Sequence, residues 1–158
     1  MIIYCDTREQ RPLTFKAEKG LTVVKKTLAV CDYAAQMDDG VRCPVRFERK
    51  SIGDLYGTFA ADEPYKRFKR QMSRCERMKV GMIIIVEASF LDVASGYEYS
   101  KFEGRAMIRK CFTMHIKYPD VIIYPVVFTN SRSESSAWIK SYYESWNKNL
   151  KRISADRK

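Results

Sequence analysis

The sequence holds a single histidine, His115, and no Cys-x-x-Cys pair. The usual zinc frameworks of paired cysteine and histidine are therefore excluded. Its five cysteines (Cys5, Cys31, Cys43, Cys75 and Cys111) are odd in number, which argues against a complete disulfide framework. They read as small apolar residues in a reducing compartment. Glycine and proline are sparse, at seven and five, so low-complexity and collagen-like chains are excluded. Apolar runs such as Met82–Val86 are far too short to span a bilayer. The N-terminal Met-Ile-Ile-Tyr-Cys-Asp has no basic region followed by an apolar stretch and cleavage site. No membrane partner and an intracellular location, cytoplasmic or nuclear, are the expectation. Acid is also in short supply: 19 acidic against 29 basic residues leave a net charge of +10. That excess favours polyanionic partners, nucleic acid first.

With 46% hydrophobic and 30% charged residues, the 158-residue chain fits one folded domain. The expected division is a domain over 1–152 and a basic tail over 153–158. Ile2–Cys5 is a short apolar run ending at Asp6, which reads as a buried strand. Leu21–Val24 and Leu28–Val30 are further strand candidates, and Asp38-Asp39-Gly40 is a hairpin turn before Val45-Arg46-Phe47-Glu48. Ser51 can cap a helix carrying Ile52, Leu55, Tyr56 and Phe59. Asp62-Glu63-Pro64 opens another, with Tyr65, Phe68, Met72 and Cys75 along its apolar stripe. Arg67, Arg70, Arg74 and Arg77 form a second stripe on its other side. Met82–Val86 is the strongest buried-strand candidate, followed by an expected loop over 89–103 and a helix over 106–118. A strand over 121–128, made irregular by Pro125, and a helix containing Trp138, Ile139, Tyr142, Trp146 and Leu150 complete the chain. This order predicts an α/β fold with helices on both faces of a sheet.

Chemistry concentrates at Glu48-Arg49-Lys50. On a strand, residues two apart share a face, so Glu48 and Lys50 emerge together. A carboxylate can hold a divalent cation, while an ammonium orients water or offsets charge developing on a phosphorane-like transition state. Alone, Glu-x-Lys is common on any solvated strand. Asp32, expected just after the Leu28–Val30 strand, would supply a second hard oxygen ligand of the kind magnesium takes. Asp54 sits in the first turn of the next helix, where it either reaches the metal waters or simply stabilises the helix terminus.

Several ordered motifs resemble the XPF/Hef-type nuclease domain. They are Asp6-Thr7-Arg8-Glu9, the segment Thr27–Tyr33 ending in Cys-Asp-Tyr, and Glu48-Arg49-Lys50-Ser51-Ile52-Gly53-Asp54. Arg67-Phe68-Lys69-Arg70-Gln71 and Ile83–Glu87 extend the likeness, which runs from about residue 2 to about residue 146. The resemblance implies a restriction-endonuclease-like fold, with a central mixed β-sheet flanked by helices. It also implies magnesium- or manganese-dependent cutting of branched, flap or fork DNA in repair or recombination, by a homodimer. By position it makes Asp32 and Glu48 the metal ligands and Lys50 the water-orienting base partner. Asp6 would lie near the metal, and Arg8 and Arg49 would support the site or contact phosphate. On a regular strand Arg49 faces away from its neighbours, so the resemblance requires a local twist there. Cys31 stands where the family usually has glycine, and that exchange requires negative φ. No residues remain for the helix-hairpin-helix modules or helicase that many members add.

Arg67, Arg70 and Arg74 are candidate DNA contacts, with Arg67 also near the site, and Gln71 is placed to bond an active-site group. His115 reads as structural. Tyr97, Tyr99 and Phe102 either fold their loop onto the body or stack on unpaired bases, and Trp138 and Trp146 are core or dimer-interface residues. The competing reading from another class is a non-catalytic DNA-binding or scaffolding subunit with a nuclease-like fold.

Overall fold

In a computed structural model, described here over residues 1–155 with side chains to residue 149, β5 (Gly81–Glu87) is the strand about which the molecule is organised. Met82 through Val86 are completely inaccessible to solvent. Met82, Ile84 and Val86 join one hydrophobic cluster and Ile83 and Ile85 the other, so the run is covered on both faces. Each such side chain contributes roughly 1.5–3 kcal/mol.

The other strands are β1 (Ile2–Cys5), β2 (Thr22–Lys25), β3 (Tyr33–Gln36), β4 (Val45–Lys50) and β6 (Val127–Thr129). They form one six-stranded sheet in the order β2-β1-β3-β4-β5-β6. β1 runs parallel to β2 and antiparallel to β3, β3 is antiparallel to β4, and β4, β5 and β6 are parallel. The sheet is therefore mixed. On one face lie α1 (Ile52–Phe59), α2 (Asp62–Arg77), α3 (Phe90–Ser95) and α4 (Gly104–Lys117), and on the other α5 (Arg132–Ala155). This is an α/β restriction-endonuclease-like fold. No helix among the described residues is long and apolar enough to cross a membrane.

Three local expectations are corrected. Leu28–Val30 forms no strand; β3 begins at Tyr33, so Asp32 precedes its strand rather than following one. The segment after β5 contains α3, nucleated by a capping box in which Ser89 Oγ accepts from Asp92 N–H and Asp92 accepts from Ser89 N–H. The strand expected over 121–128 is reduced to an isolated bridge at Ile122 and to β6, because Pro125 cannot donate to a ladder. The Asp38-Asp39-Gly40 turn does close the β3–β4 hairpin, with Gly40 at φ +86°. α5 continues to Ala155, into the segment read as tail, and residues 156–158 lie outside the described residues.

Candidate active site

At the C-terminal ends of β4 and β5 a polar cleft of about 630 Å³ opens, walled by the loop after β1, the start of α1 and the first turn of α5. Strand alternation decides what faces it. Val45 and Phe47 turn toward α5, while Glu48 and Lys50 turn toward α1 and α2. Lys50 Nζ donates to Glu48 Oε1 at 2.7 Å, and Gln71 Nε2 of α2 donates to Glu48 Oε2 at 2.6 Å. Glu48 is thus held at both oxygens while only 6% exposed. Gln71, expected at the edge of the apolar stripe, bonds this carboxylate directly.

Asp32 is fixed through its backbone. Its N–H donates to Phe47 O at 2.9 Å and its carbonyl accepts from Asp6 N–H at 2.8 Å, which stitches the start of β3 between β1 and β4. Its carboxylate accepts from the Arg49 N–H at 2.7 Å. Burial, and after it the charge of Glu48, push the Asp32 carboxyl up to about 8. Burial alone would lower the Lys50 ammonium, but Glu48 outweighs it and holds Lys50 above its ordinary value. Lys50 is therefore a charged donor. It is not a base.

Arg49 needs no twist. β4 is regular through Lys50, pairing Arg49 with Ile85 and Lys50 with Val86, so the Arg49 guanidinium projects on the α5 side. There it donates to Glu9 through Nε and Nη2, at 3.0 and 2.9 Å, and to Glu87 through Nη1 at 2.9 Å. All three side chains are under a tenth exposed. Glu87 also meets Arg132, whose Nη2 donates to the carbonyls of Arg11 and Pro12. Glu9, Glu87, Arg11 and Arg132 line the cleft but were absent from the sequence-derived site. Glu9 and Glu87 stood within quoted motifs, and their partnership through Arg49 was the missing signal.

Asp6 is not brought into the cleft. Its Oδ1 accepts from Arg8 N–H and Nε, and its Oδ2 from Arg8 Nη2 and Leu28 N–H, at 2.7–2.9 Å. Arg8 is the main reason its carboxyl is lowered to about 2. Both oxygens are occupied, so Asp6 acts as the anchor that ties Arg8 and the segment before Asp32 to β1. Arg8 itself lines the cleft and is 67% exposed. Of the two roles expected of Asp54, the structure shows the one at the helix terminus. Its N–H bonds to the capping Ser51 Oγ, its carboxylate accepts from that hydroxyl, and it borders the cleft.

Arg67, Arg70 and Arg74 line a second groove of about 450 Å³, which shares Glu48 and Lys50 with the first. They are exposed and make no hydrogen bond or ion pair among the described residues. His115 Nδ1 donates to Ile122 O at 2.6 Å, away from either groove. Tyr97 folds against Tyr56, while Tyr99 stays 79% exposed on Tyr97. Trp138 stacks on Tyr142 and both pack on Phe47. Cys31 contradicts expectation: it is buried at φ +60°, the left-handed conformation in which glycine is at ease.

No group of three or more His, Cys, Asp or Glu side chains able to hold a metal exists among the described residues. Asp32 and Glu48 are a pair. A pair is sufficient for magnesium, which is commonly held by one or two carboxylates with waters and substrate phosphate. Both are hard oxygen donors at the edge of a polar cleft, so the donor set fits such a cation.

Comparison with known proteins identifies the family and the fold. The model of the ERCC4 domain matches residues 5–142. Two solved structures of XPF from Aeropyrum pernix share the fold. One has a TM-score of 0.65 at 20% identity, covering 98% of this chain and 69% of that one. The other, a complex with DNA, has a TM-score of 0.64 at 21% identity, covering 94% and 66%. The chain thus spans about two thirds of those proteins. No curated protein sequence matches it.

Proposed function

The chain belongs to the ERCC4 domain family, and from that premise we propose that it is a divalent-metal-dependent DNA endonuclease acting on branched, flap or fork DNA. The observation that carries this reading is the Glu48 carboxylate, clamped between Lys50 and Gln71 beside Asp32 where an arginine groove meets a polar cleft. Asp32 and Glu48 would hold magnesium or manganese, which when bound supplies Lewis-acid activation of water and neutralises phosphate charge.

The remaining work falls to the chain's own side chains. Lys50, kept protonated by Glu48, sets a positive charge beside the phosphate as negative charge builds in the transition state. Gln71 and Lys50 leave Glu48 little freedom, so the carboxylate is oriented before substrate arrives. Arg67, Arg70 and Arg74 grip backbone phosphates without reading bases. The expected products carry a 5′-phosphate and a 3′-hydroxyl.

Homodimerisation belongs to the same proposal. It is supported by a groove of about 510 Å³ between β6 and α5, lined by Phe128, Trp138 and Tyr142, beside the open edge of the sheet. Sedimentation equilibrium tests it.

The deciding experiment presents linear, flap, fork and four-way DNA to the wild type, Asp32→Ala and Glu48→Ala with magnesium or manganese. Cutting by the wild type that falls at least about a hundredfold in both variants is expected, since each removes a ligand. Undiminished cutting by the variants sinks the site. DNA binding by a wild type that never cuts any substrate returns the chain to the non-catalytic reading.

A further inference from the structure

Arg46 is 9% exposed, and its Nε is buried without a hydrogen-bond partner. Nor does its guanidinium form an ion pair with any described residue. It sits on β4 two residues before Glu48 and on the same face, where α1 and α2 do not reach across β1 and β3. A guanidinium cannot lose its proton at any ordinary pH. With Nε buried and unpaired, the group is destabilising as it stands, and native structures place an opposite charge beside such a group.

No residue provides one. Arg46 lines a cavity of about 200 Å³ whose other charged walls are Lys26 and Arg42, and no carboxylate lines it. The nearby Cys43 cannot serve as the anion either, because burial pushes its thiol up to about 11. Thr27 and Tyr4 add hydroxyls to the lining. The Tyr4 hydroxyl is already donated to Gln36, and Lys26 lies over the Tyr4 ring at 4.8 Å. The space is below the roughly 300–1,000 Å³ of sites that enclose drug-sized ligands. It suits a small tetrahedral anion with its waters and not a nucleobase with its sugar.

We propose that this cavity is an oxyanion site of phosphate type, in which Arg46 is the buried fork and Lys26 and Arg42 are the exposed rim. It stands apart from the cleft at Asp32 and Glu48 and does not depend on the chain being a nuclease. The phosphate can be free in solution or belong to a nucleic-acid backbone passing behind the sheet, and the chemistry recognised is the same.

The test titrates inorganic phosphate into metal-free wild type and Arg46→Met while following the melting temperature, with sodium chloride at matched ionic strength as control. Arg46→Met keeps an unbranched, flexible stem and removes the guanidinium with its charge and its N–H donors. The expected result has two parts. Phosphate raises the melting temperature of the wild type by several degrees through linkage and leaves the variant unmoved. In phosphate-free buffer the variant melts above the wild type, since an unpaired buried charge has gone. A wild type that phosphate stabilises no more than chloride does, or a variant that responds equally, overturns the proposal. Arg46→Met melting below the wild type in phosphate-free buffer also overturns it, because that marks a guanidinium already satisfied by the fold. A duplex oligonucleotide added to the phosphate-loaded protein separates the sources. Displacement of phosphate, with weaker DNA binding by Arg46→Met, assigns the site to backbone phosphate; unchanged phosphate binding assigns it to the free ion.

Discussion

The Arg49 main-chain N–H donates to Asp32 Oδ2 at 2.7 Å, although the Arg49 side chain lies on the opposite face of β4. One residue therefore orients a cleft carboxylate with its backbone and locks β4 to Glu9 and Glu87 with its guanidinium. The expected consequence of Arg49→Ala is a loss of about 3–5 kcal/mol, because buried Glu9 is left without its cation and Glu87 keeps only Arg132. Arg49→Lys should recover only part of it, since an ammonium cannot make the two-sided fork. Urea denaturation measures both. Combining Arg49→Met with Glu9→Gln and Glu87→Gln should restore most of the stability, and failure to do so would mean that the backbone contact to Asp32 dominates.

Asp32 sets the pH dependence. Its carboxyl rises from 3.8 to about 8 on folding, so in the absence of a cation its contribution to stability is full below about 4 and is lost as the pH rises toward 8. A divalent cation requires the ionised form and must expel the proton. Calorimetry in buffers of different ionisation heat should find close to one proton released per cation at pH 6.5 and almost none well above pH 8. Asp32→Asn should abolish that release. Equal proton release across the range would place the ionisation elsewhere.

Much of this arrangement was legible in the chain. Glu48, Lys50 and Gln71 follow from periods of 2 on β4 and 3.6 on α2, and α2's arginines fall on the open side as their spacing requires. What escaped is long-range. Nothing local says that Glu9, 40 residues before Arg49, and Glu87, 38 after it, meet the same guanidinium. The partners of Asp6 are long-range in part as well: the resemblance put it near the metal, and its oxygens accept from Arg8, two residues away, and from Leu28 across the chain. α3 was hidden by its shortness, since its six residues make fewer than two turns and only the Ser89–Asp92 box declared it.

Cys31 tests how much strain the site carries. At φ +60° a non-glycine residue is held at a cost of roughly 1–2 kcal/mol. Cys31→Gly releases that strain but gives up a buried thiol and loosens the unfolded chain, each worth roughly 1 kcal/mol. The expected net change in stability is within about 1 kcal/mol of zero. Cys31→Val keeps the strain, adds branching at Cβ and overfills a site that is 4% exposed, and should cost about 3 kcal/mol. Chemical denaturation of the two variants checks the contrast. Similar losses in both would show that packing against the thiol, and not backbone conformation, governs this position.

The two grooves meeting at Glu48 and Lys50 differ in charge, and that difference predicts how DNA enters. The α2 groove carries Arg67, Arg70, Arg74 and Lys50 against Glu48 alone. The cleft on the other side sets Arg8, Arg11, Arg49, Lys50 and Arg132 against as many carboxylates: Glu9, Asp32, Glu48, Asp54 and Glu87. Above about pH 8, where Asp32 is ionised, only a bound divalent cation gives that cleft a positive balance, so phosphate should enter it late, while the α2 groove needs no cation. Arg70→Ala with Arg74→Ala should weaken duplex binding in chelator and in calcium alike, and lower the salt slope by about 2. Arg11, exposed and without an ion-pair partner among the described residues, should matter only with the cation present. Fluorescence anisotropy of Arg11→Ala should then show several-fold weaker binding in calcium and none of that loss in chelator. An Arg11→Ala deficit of equal size in both buffers would mean that the cleft attracts DNA before any cation arrives, and that the neutralising ion is not what opens it.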